Sequence, residues 1–423
     1  MTAFETRRPQ ATVAAPQGPW TDLPAAPRGR IHAAVARRIF AKAAADVGIV
    51  IELPNGGFMG KRRGSGIDVA GQVAPVMRLH KPDEFFRRLG RHGLIGFGES
   101  YMAAEWDADD VAAVLTPLAR RMSVLVPNVL QRARRWYDAR QPASEMNDLR
   151  GAKSNISRHY DLSNDLFALF LDETMTYSSA IWPDRNAPLA AAQEHKIDRL
   201  LDLAGVRDGT RLLEIGTGWG ELAVRAACRG AHVTTLTLSS EQQAWAIRRA
   251  TQSGVGDLVD VQLRDYRQVT GTYDAVVSVE MIEAVGVDFW PTYFATIDRV
   301  LNPGGRAALQ SITIDHERLI ATKGSYTWIH KYVFPGGIIP SLHAIRDVVG
   351  HHTRLRVSSA TSFGLDYART LHQWFDRFHA NTAAVHALGF DERFTRMWKF
   401  YLAYCEAGFA SGYLDVHQLV LER

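Results

Sequence analysis

The stretch VVSVEMIEAVG, residues 276–286, sets Glu280 and Glu283 among valine, isoleucine and alanine. Burying an unpaired carboxylate costs on the order of several kcal/mol, so residues like these come with partners. They could hold an anion or move a proton, or they could cap and brace a helix that follows a buried strand. The residues alone leave these readings open. Upstream, LLEIGTGWGE places Gly216, Gly218 and Gly220 where a strand gives way to a helix. Glycines at such a junction let the backbone approach a ligand at the carboxyl end of a sheet. A G-x-G-x-G turn is shared by nucleotide binders and ordinary tight turns, so its surroundings must decide.

Those surroundings alternate strand and helix from about residue 195. RLLEIGTG reads as a buried strand and WGELAVRAACRGA as the helix after it. HVTTLTLS, VDVQLRDY, YDAVVSVEMIEAVG and RAALQSITI supply further β-branched runs, the pattern of parallel strands buried on both faces. The predicted fold is α/β, a doubly wound Rossmann-like sheet with a smaller N-terminal domain. The glycine spacing departs from the G-x-G-x-x-G of dinucleotide binders, and Glu214 precedes the turn as it does in S-adenosylmethionine (SAM) methyltransferases. On this reading Gly216, Thr217 and Gly218 approach SAM. In LTLSSEQQ, where many such enzymes carry an acid for the ribose, Thr237, Leu238, Ser239 and Gln242 stand instead. Asp265 of RDYR is expected to meet the adenine amino group and Tyr266 to stack on its ring.

The chain has 423 residues, 46% of them apolar, enough for two or three domains with a real core. Net charge is only +4. Two cysteines, Cys228 and Cys405, exclude a disulfide scaffold and a cysteine-rich metal site, and suit a reducing cytoplasm. No metal site is expected. No apolar run reaches the roughly 18 residues of a spanning helix, and the N-terminus lacks an apolar secretion core. Residues 1–30 read as a disordered leader, 31–145 as an N-terminal lipid-binding domain and 146–423 as the methyltransferase domain. Arg132, Arg134, Arg135 and Arg140, interleaved with Leu130, Trp136 and Tyr137, suit either an interfacial helix on anionic lipid or a solvated face. A linker is expected at RQPASEMNDLRGAKSN.

HYDLSNDLFALFLDETMTYSSAIW, LLEIGTGWGELAVRAA, SVEMIEAVG, WIHKYVFPGGIIPS, FGLDYARTLHQW and YLAYCEAGFASGYLDVHQL together resemble cyclopropane-fatty-acyl-phospholipid synthases. The likeness runs in order from about Ser154 to the C-terminus. It implies methyl transfer from SAM to the cis double bond of an unsaturated phospholipid acyl chain, by a cytoplasmic enzyme peripheral to an anionic membrane face. The carbocation that results must be kept from water, and Tyr326, Trp328, Tyr332 and Phe334 are candidate walls or plain core. The resemblance also implies a bound bicarbonate as base. Glu283 would take its hydroxyl hydrogen, Tyr367 would donate to it, and Ile312 and Ser179 would offer backbone. His159 and Tyr160 would cover the SAM pocket, with Tyr177 and Ser178 touching the cofactor. Cys405 falls on a cysteine once regarded as a nucleophile in the family, and its apolar neighbours favour a buried, inert thiol.

Two departures stand out. Glu280 replaces a common glycine, and Gln310 replaces a histidine, so it can donate a hydrogen bond but not carry a proton. The pairing resembles the tuberculostearic acid branch, whose product is methylene-branched and needs a separate reductase, with a cyclopropane fatty acid as the other product the resemblance allows. A homodimer is compatible with this reading. Two rivals are a small-molecule methyltransferase and a non-catalytic SAM- and lipid-binding homologue. Nucleic acid is not an expected partner, because the D/N-P-P-Y/F motif of amino-group methylation is missing after the fourth strand.

Overall fold

The computed structural model describes residues 16, 18–60, 74–121 and 163–423. The basic segment around Arg132–Arg140, the expected linker, and His159 and Tyr160 lie outside the described residues. The methyltransferase part is built on a seven-stranded sheet of β5 (Arg211–Ile215), β6 (His232–Thr237), β7 (Val259–Leu263), β8 (Tyr273–Val279), β9 (Leu301–Ile314), β10 (Arg356–Ser362) and β11 (Leu414–Glu422). Its order is β10-β11-β9-β8-β5-β6-β7. Strands β7, β6, β5, β8 and β9 run parallel, and β11 enters antiparallel between β9 and β10. The order reverses between β5 and β8, so the carboxyl ends of those two strands form the crevice where α/β sheets bind ligands.

The N-terminal part pairs four short strands, β1 (Val50–Glu52), β2 (Phe58–Gly60), β3 (Val76–Leu79) and β4 (Trp106–Asp107), in the order β2-β1-β3-β4. Helices α1 (Arg30–Val47), α2 (Pro82–Met102) and α3 (Val111–Arg120) accompany them. This part does not close a core of its own. Phe97 and Trp106 meet Phe400 of helix Glu392–Ala410 at ring distances of 6.2 and 6.4 Å, inside one apolar cluster that continues to Trp374 and Trp398. Arg396 of the same helix donates to the backbone carbonyls of Tyr101 and Trp106. Within the expected leader, Trp20 and its neighbours are docked on the methyltransferase part, contrary to the disorder expected of them. Trp20 is buried against Phe390 and Phe394, and Arg393 donates to the Thr21 carbonyl at 2.8 Å.

Candidate active site

Strand β8 ends at Val279, and the next residue, Glu280, takes a left-handed backbone (φ 51). That conformation strains a residue with a Cβ by about 1–2 kcal/mol, and such strain gathers at functional sites. Hydrogen bonds hold it in place. The Glu280 amide donates to the Gln310 carbonyl at 2.8 Å. Its Oε1 accepts from the Ser179 amide at 2.9 Å and from Gln310 Nε2 at 2.9 Å, and its Oε2 accepts from the Tyr367 hydroxyl at 2.7 Å. Burial pushes the Glu280 carboxyl up, and these three donors pull it back toward the anion.

Glu283 sits one turn on, in the short helix Ile282–Val285. Its Oε1 accepts from the Ser311 hydroxyl and the Ile312 amide, while Oε2 is buried with no hydrogen-bond partner among the described residues. Burial, and then the neighbouring Glu280 charge, push its carboxyl up to about 8. At neutral pH Glu283 is mainly the neutral acid, while the three donors on Glu280 favour its charged form against the opposing effect of burial. A folded-state pKa raised above the ordinary 4.5 contributes stability in full below that value. That stability is lost as pH rises through about 8. Glu283→Gln is accordingly expected to flatten part of the fall in unfolding free energy across that window, as measured by urea titration at stepped pH.

Gln310 is oriented from behind. Its Oε1 accepts from Gln418 Nε2 at 3.2 Å, and Gln418 Oε1 in turn accepts from Arg199. This leaves Gln310 Nε2 facing Glu280 and the Ser179 carbonyl (3.2 Å). Where a histidine could titrate, the amide is a fixed donor at every pH. Tyr367 lies on helix Gly364–Ala380 against Phe409, 4.4 Å between rings, and burial raises its hydroxyl so that it remains a phenol.

The resemblance assigned Ser179, Gln310, Ile312 and Tyr367 to bicarbonate. Here the first, second and fourth converge on the Glu280 carboxylate, and the Ile312 amide binds Glu283. These donors are taken up by the two carboxyl groups, so none of them is directed at a separate anion. Burial lifts the Cys405 thiol to about 12, so at neutral pH it is a thiol and not a nucleophilic thiolate.

Beneath this layer lies Lys196, fully buried, whose Nζ donates to Ser178 Oγ at 2.7 Å. Burial lowers it to about 8 against the pull of Glu280, Asp172 and Glu214. Lys196, Arg199, Ser311 and Gln418 had no motif to mark them. A polar Gln418 inside the apolar run DVHQLVL was the one available signal.

At the end of β5 the glycine turn is strongly left-handed, with φ 99 at Gly216, 52 at Gly218 and 88 at Gly220. A Cβ on Gly218 would meet nothing within 4 Å, so the outer face of the turn is open to a ligand, which is the fit SAM requires. A Cβ on Gly216 would lie 2.7 Å from Met281 Cγ. Gly216→Ala is expected to weaken SAM binding by at least about tenfold, roughly 1.4 kcal/mol, as read by calorimetry. Unchanged affinity would place the cofactor elsewhere. Glu214 behind the turn accepts from the Thr235 hydroxyl at 2.6 Å, and Thr235 also bonds Thr217. Thr237 donates to Gln242 Oε1 at 2.9 Å, beside the half-buried Leu238. Asp265 is gripped on both oxygens by Arg267, which fixes the adjoining Tyr266 against Tyr293. The Tyr177 hydroxyl bonds that of Tyr401 at 2.7 Å. Of the four candidate wall aromatics, Trp328 and Tyr332 are core, while Tyr326 and Phe334 are half-buried.

The profile of the mycolic acid cyclopropane synthetase family matches residues 147–419. The chain belongs to that family. Within the wider set of relatives, it is 48% identical over 433 residues to the tuberculostearic acid methyltransferase UfaA1 of Mycobacterium tuberculosis, covering 100% of this chain and 99% of that protein. It is 34% identical to the cyclopropane-fatty-acyl-phospholipid synthase of Escherichia coli, covering 85% of this chain and 91% of that one. Among solved structures it is similar to mycolic acid cyclopropane synthase CmaA1 complexed with SAH and CTAB, with TM-score 0.60 and 30% identity, over 67% of this chain and 99% of that one. This member of the synthetase family is thus a SAM-dependent methyltransferase with the fold of that class. No helix among its described residues is long and apolar enough to cross a membrane.

Proposed function

We propose that this protein transfers a methyl group from SAM to the cis double bond of an unsaturated phospholipid acyl chain and leaves a methylene branch, with the Glu280 carboxylate as base. The observation that carries this reading is the convergence of Ser179 N–H, Gln310 and Tyr367 on Glu280. Full-length likeness to a tuberculostearic acid methyltransferase supports it.

SAM, when bound, supplies an electrophilic methyl carbon. The π electrons of the double bond would form the new C–C bond as the methyl–sulfur bond breaks and its electron pair leaves on S-adenosylhomocysteine, with a cation left on the neighbouring alkene carbon. A hydride shift moves that cation to the branched carbon, and loss of a proton from the new methyl yields the exocyclic double bond. Direct loss of that proton, before any shift, closes a cyclopropane ring instead. In either route the proton leaves the acyl chain for the Glu280 carboxylate. Among the described residues Glu280 Oε2 accepts one hydrogen bond, from Tyr367, which leaves a lone pair for the proton. Neutral Glu283 adds no second negative charge, and Gln310, being unable to titrate, neither takes nor returns the proton. No step needs bicarbonate. On this account Gly216, Thr217 and Gly218 hold the methionine portion of SAM, with Tyr177 and Ser178 over it. Thr237, Leu238 and Gln242 face the ribose, and Asp265 and Tyr266 face the adenine.

The substrate places the protein at the inner face of a membrane, and the product calls for a separate hydride-donating reductase. The test is incubation with SAM and oleoyl phospholipid vesicles, followed by proton NMR of the released acids. Vinylidene protons are expected. Upfield ring protons would assign a cyclopropane product, and absence of the SAM methyl from lipid would overturn the reading.

A further inference from the structure

Helix α1 buries one face through Ala36, Phe40, Ala43 and Ala44. On another face Ile31, Val35 and Ile39 stand four residues apart and are 78%, 54% and 37% exposed. Spacing of four puts them on one stripe. A further exposed aliphatic, Leu94 at 44%, follows the left-handed kink at Gly93 in α2. That kink sits beside the start of α1: a Cβ on Gly90 would lie 2.5 Å from the His32 carbonyl oxygen. The charges around the stripe are of one sign. Arg30, Arg38 and Lys42 on α1 and Arg91 on α2 are exposed, and α1 carries no acid before Asp46. Soluble surfaces scatter single aliphatics, but an aliphatic stripe framed by cations matches the layered chemistry of a bilayer surface, with acyl carbon below and phosphate above.

We propose that this α1–α2 face is the surface on which the protein docks to anionic lipid. Ile31, Val35 and Leu94 enter the interface while Arg38, Lys42 and Arg91 meet phosphate groups. The proposal deepens the lipid-substrate reading and rests on it. Beyond the kink α2 continues to Glu99, which grips Lys331 and Tyr332 at 2.6 and 3.0 Å, so its second half joins Leu94 of the docking face to the aromatic segment 326–334.

The test is sedimentation of the full chain with phosphatidylcholine vesicles, with and without phosphatidylglycerol, at low and high salt. Wild type is expected to bind the anionic vesicles and to release at high salt. Ile31→Glu with Val35→Glu, and separately Arg38→Glu with Lys42→Glu, are each expected to weaken binding by about tenfold or more. Both should leave SAM affinity and methyl transfer to detergent-dispersed lipid unchanged. Wild-type vesicle binding by both double variants would overturn the proposal, as would equal binding to neutral vesicles at all salt concentrations. A loss of self-association in place of vesicle binding would make the face a contact between copies and also overturn it. Should vesicle docking hold while dispersed lipid is never methylated, the docking face stands and the proposed reaction fails.

Discussion

Replacing Glu280 with glutamine is expected to lower methyl transfer by about 10²–10⁴-fold, the range lost with a positioned general base. SAM affinity should hardly change, because Glu280 lies beyond the glycine turn and its side chain bonds Ser179, Gln310 and Tyr367. The glutamine still fills the space but presents an amide that cannot accept a proton. Glu280→Gly separates this chemistry from folding. Glycine adopts φ 51 freely, so the variant relieves backbone strain while removing the carboxylate. It also releases the three donors, and an added small carboxylate or bicarbonate should then restore part of the lost rate. Transfer of labelled methyl from SAM to lipid measures both effects. A glutamine variant that turns over like wild type would remove Glu280 from the mechanism.

The second large effect is on stability. Glu99 of α2 is fully buried, and its Oε1 accepts from Lys331 Nζ and the Tyr332 hydroxyl. Its Oε2 lies 3.7 Å from Arg88, which also binds Glu105 at 2.7 Å. Next to it, a Cβ on Gly98 would come within 2.5 Å of the Trp328 ring, so the contact is as close as backbone allows. Glu99→Ala leaves the buried Arg88 with Glu105 alone and the partly exposed Lys331 without its carboxylate, and is expected to destabilise the fold by about 3 kcal/mol, the lower end for a broken buried pair. Urea unfolding gives the loss directly. Because Lys331 and Tyr332 belong to the aromatic segment before PGG, KM for lipid should rise while SAM affinity holds. A loss within about 0.5 kcal/mol, the ordinary scatter of surface substitutions, would contradict the reading.

The parallel strands and the glycine turn were legible because buried β-branched runs and clustered glycines follow from local physics. Strand β11 was not, since its neighbours β9 and β10 are distant in sequence, and antiparallel insertion is a choice of tertiary pairing. Trp20 was missed for a related reason: its partners Phe390 and Phe394 come some 370 residues later, and composition around it is that of a leader. At the site, Glu280 and Glu283 announced themselves as acids in apolar company. What their types could not reveal is which one the donors serve. Ser179, Gln310 and Tyr367 approach from three separate elements, so only the folded chain shows that they meet on Glu280 and not on a separate anion. Lys196 and Arg199 were silent because a charged residue on a helix usually faces water.

The most direct test of Glu280 as the built-in base is the initial rate of methyl transfer in buffer stripped of carbon dioxide, compared with the same buffer containing added bicarbonate. The account predicts equal rates for the wild-type protein. A rate that collapses on stripping and returns with bicarbonate would contradict it, and would give the base's role to a bound anion.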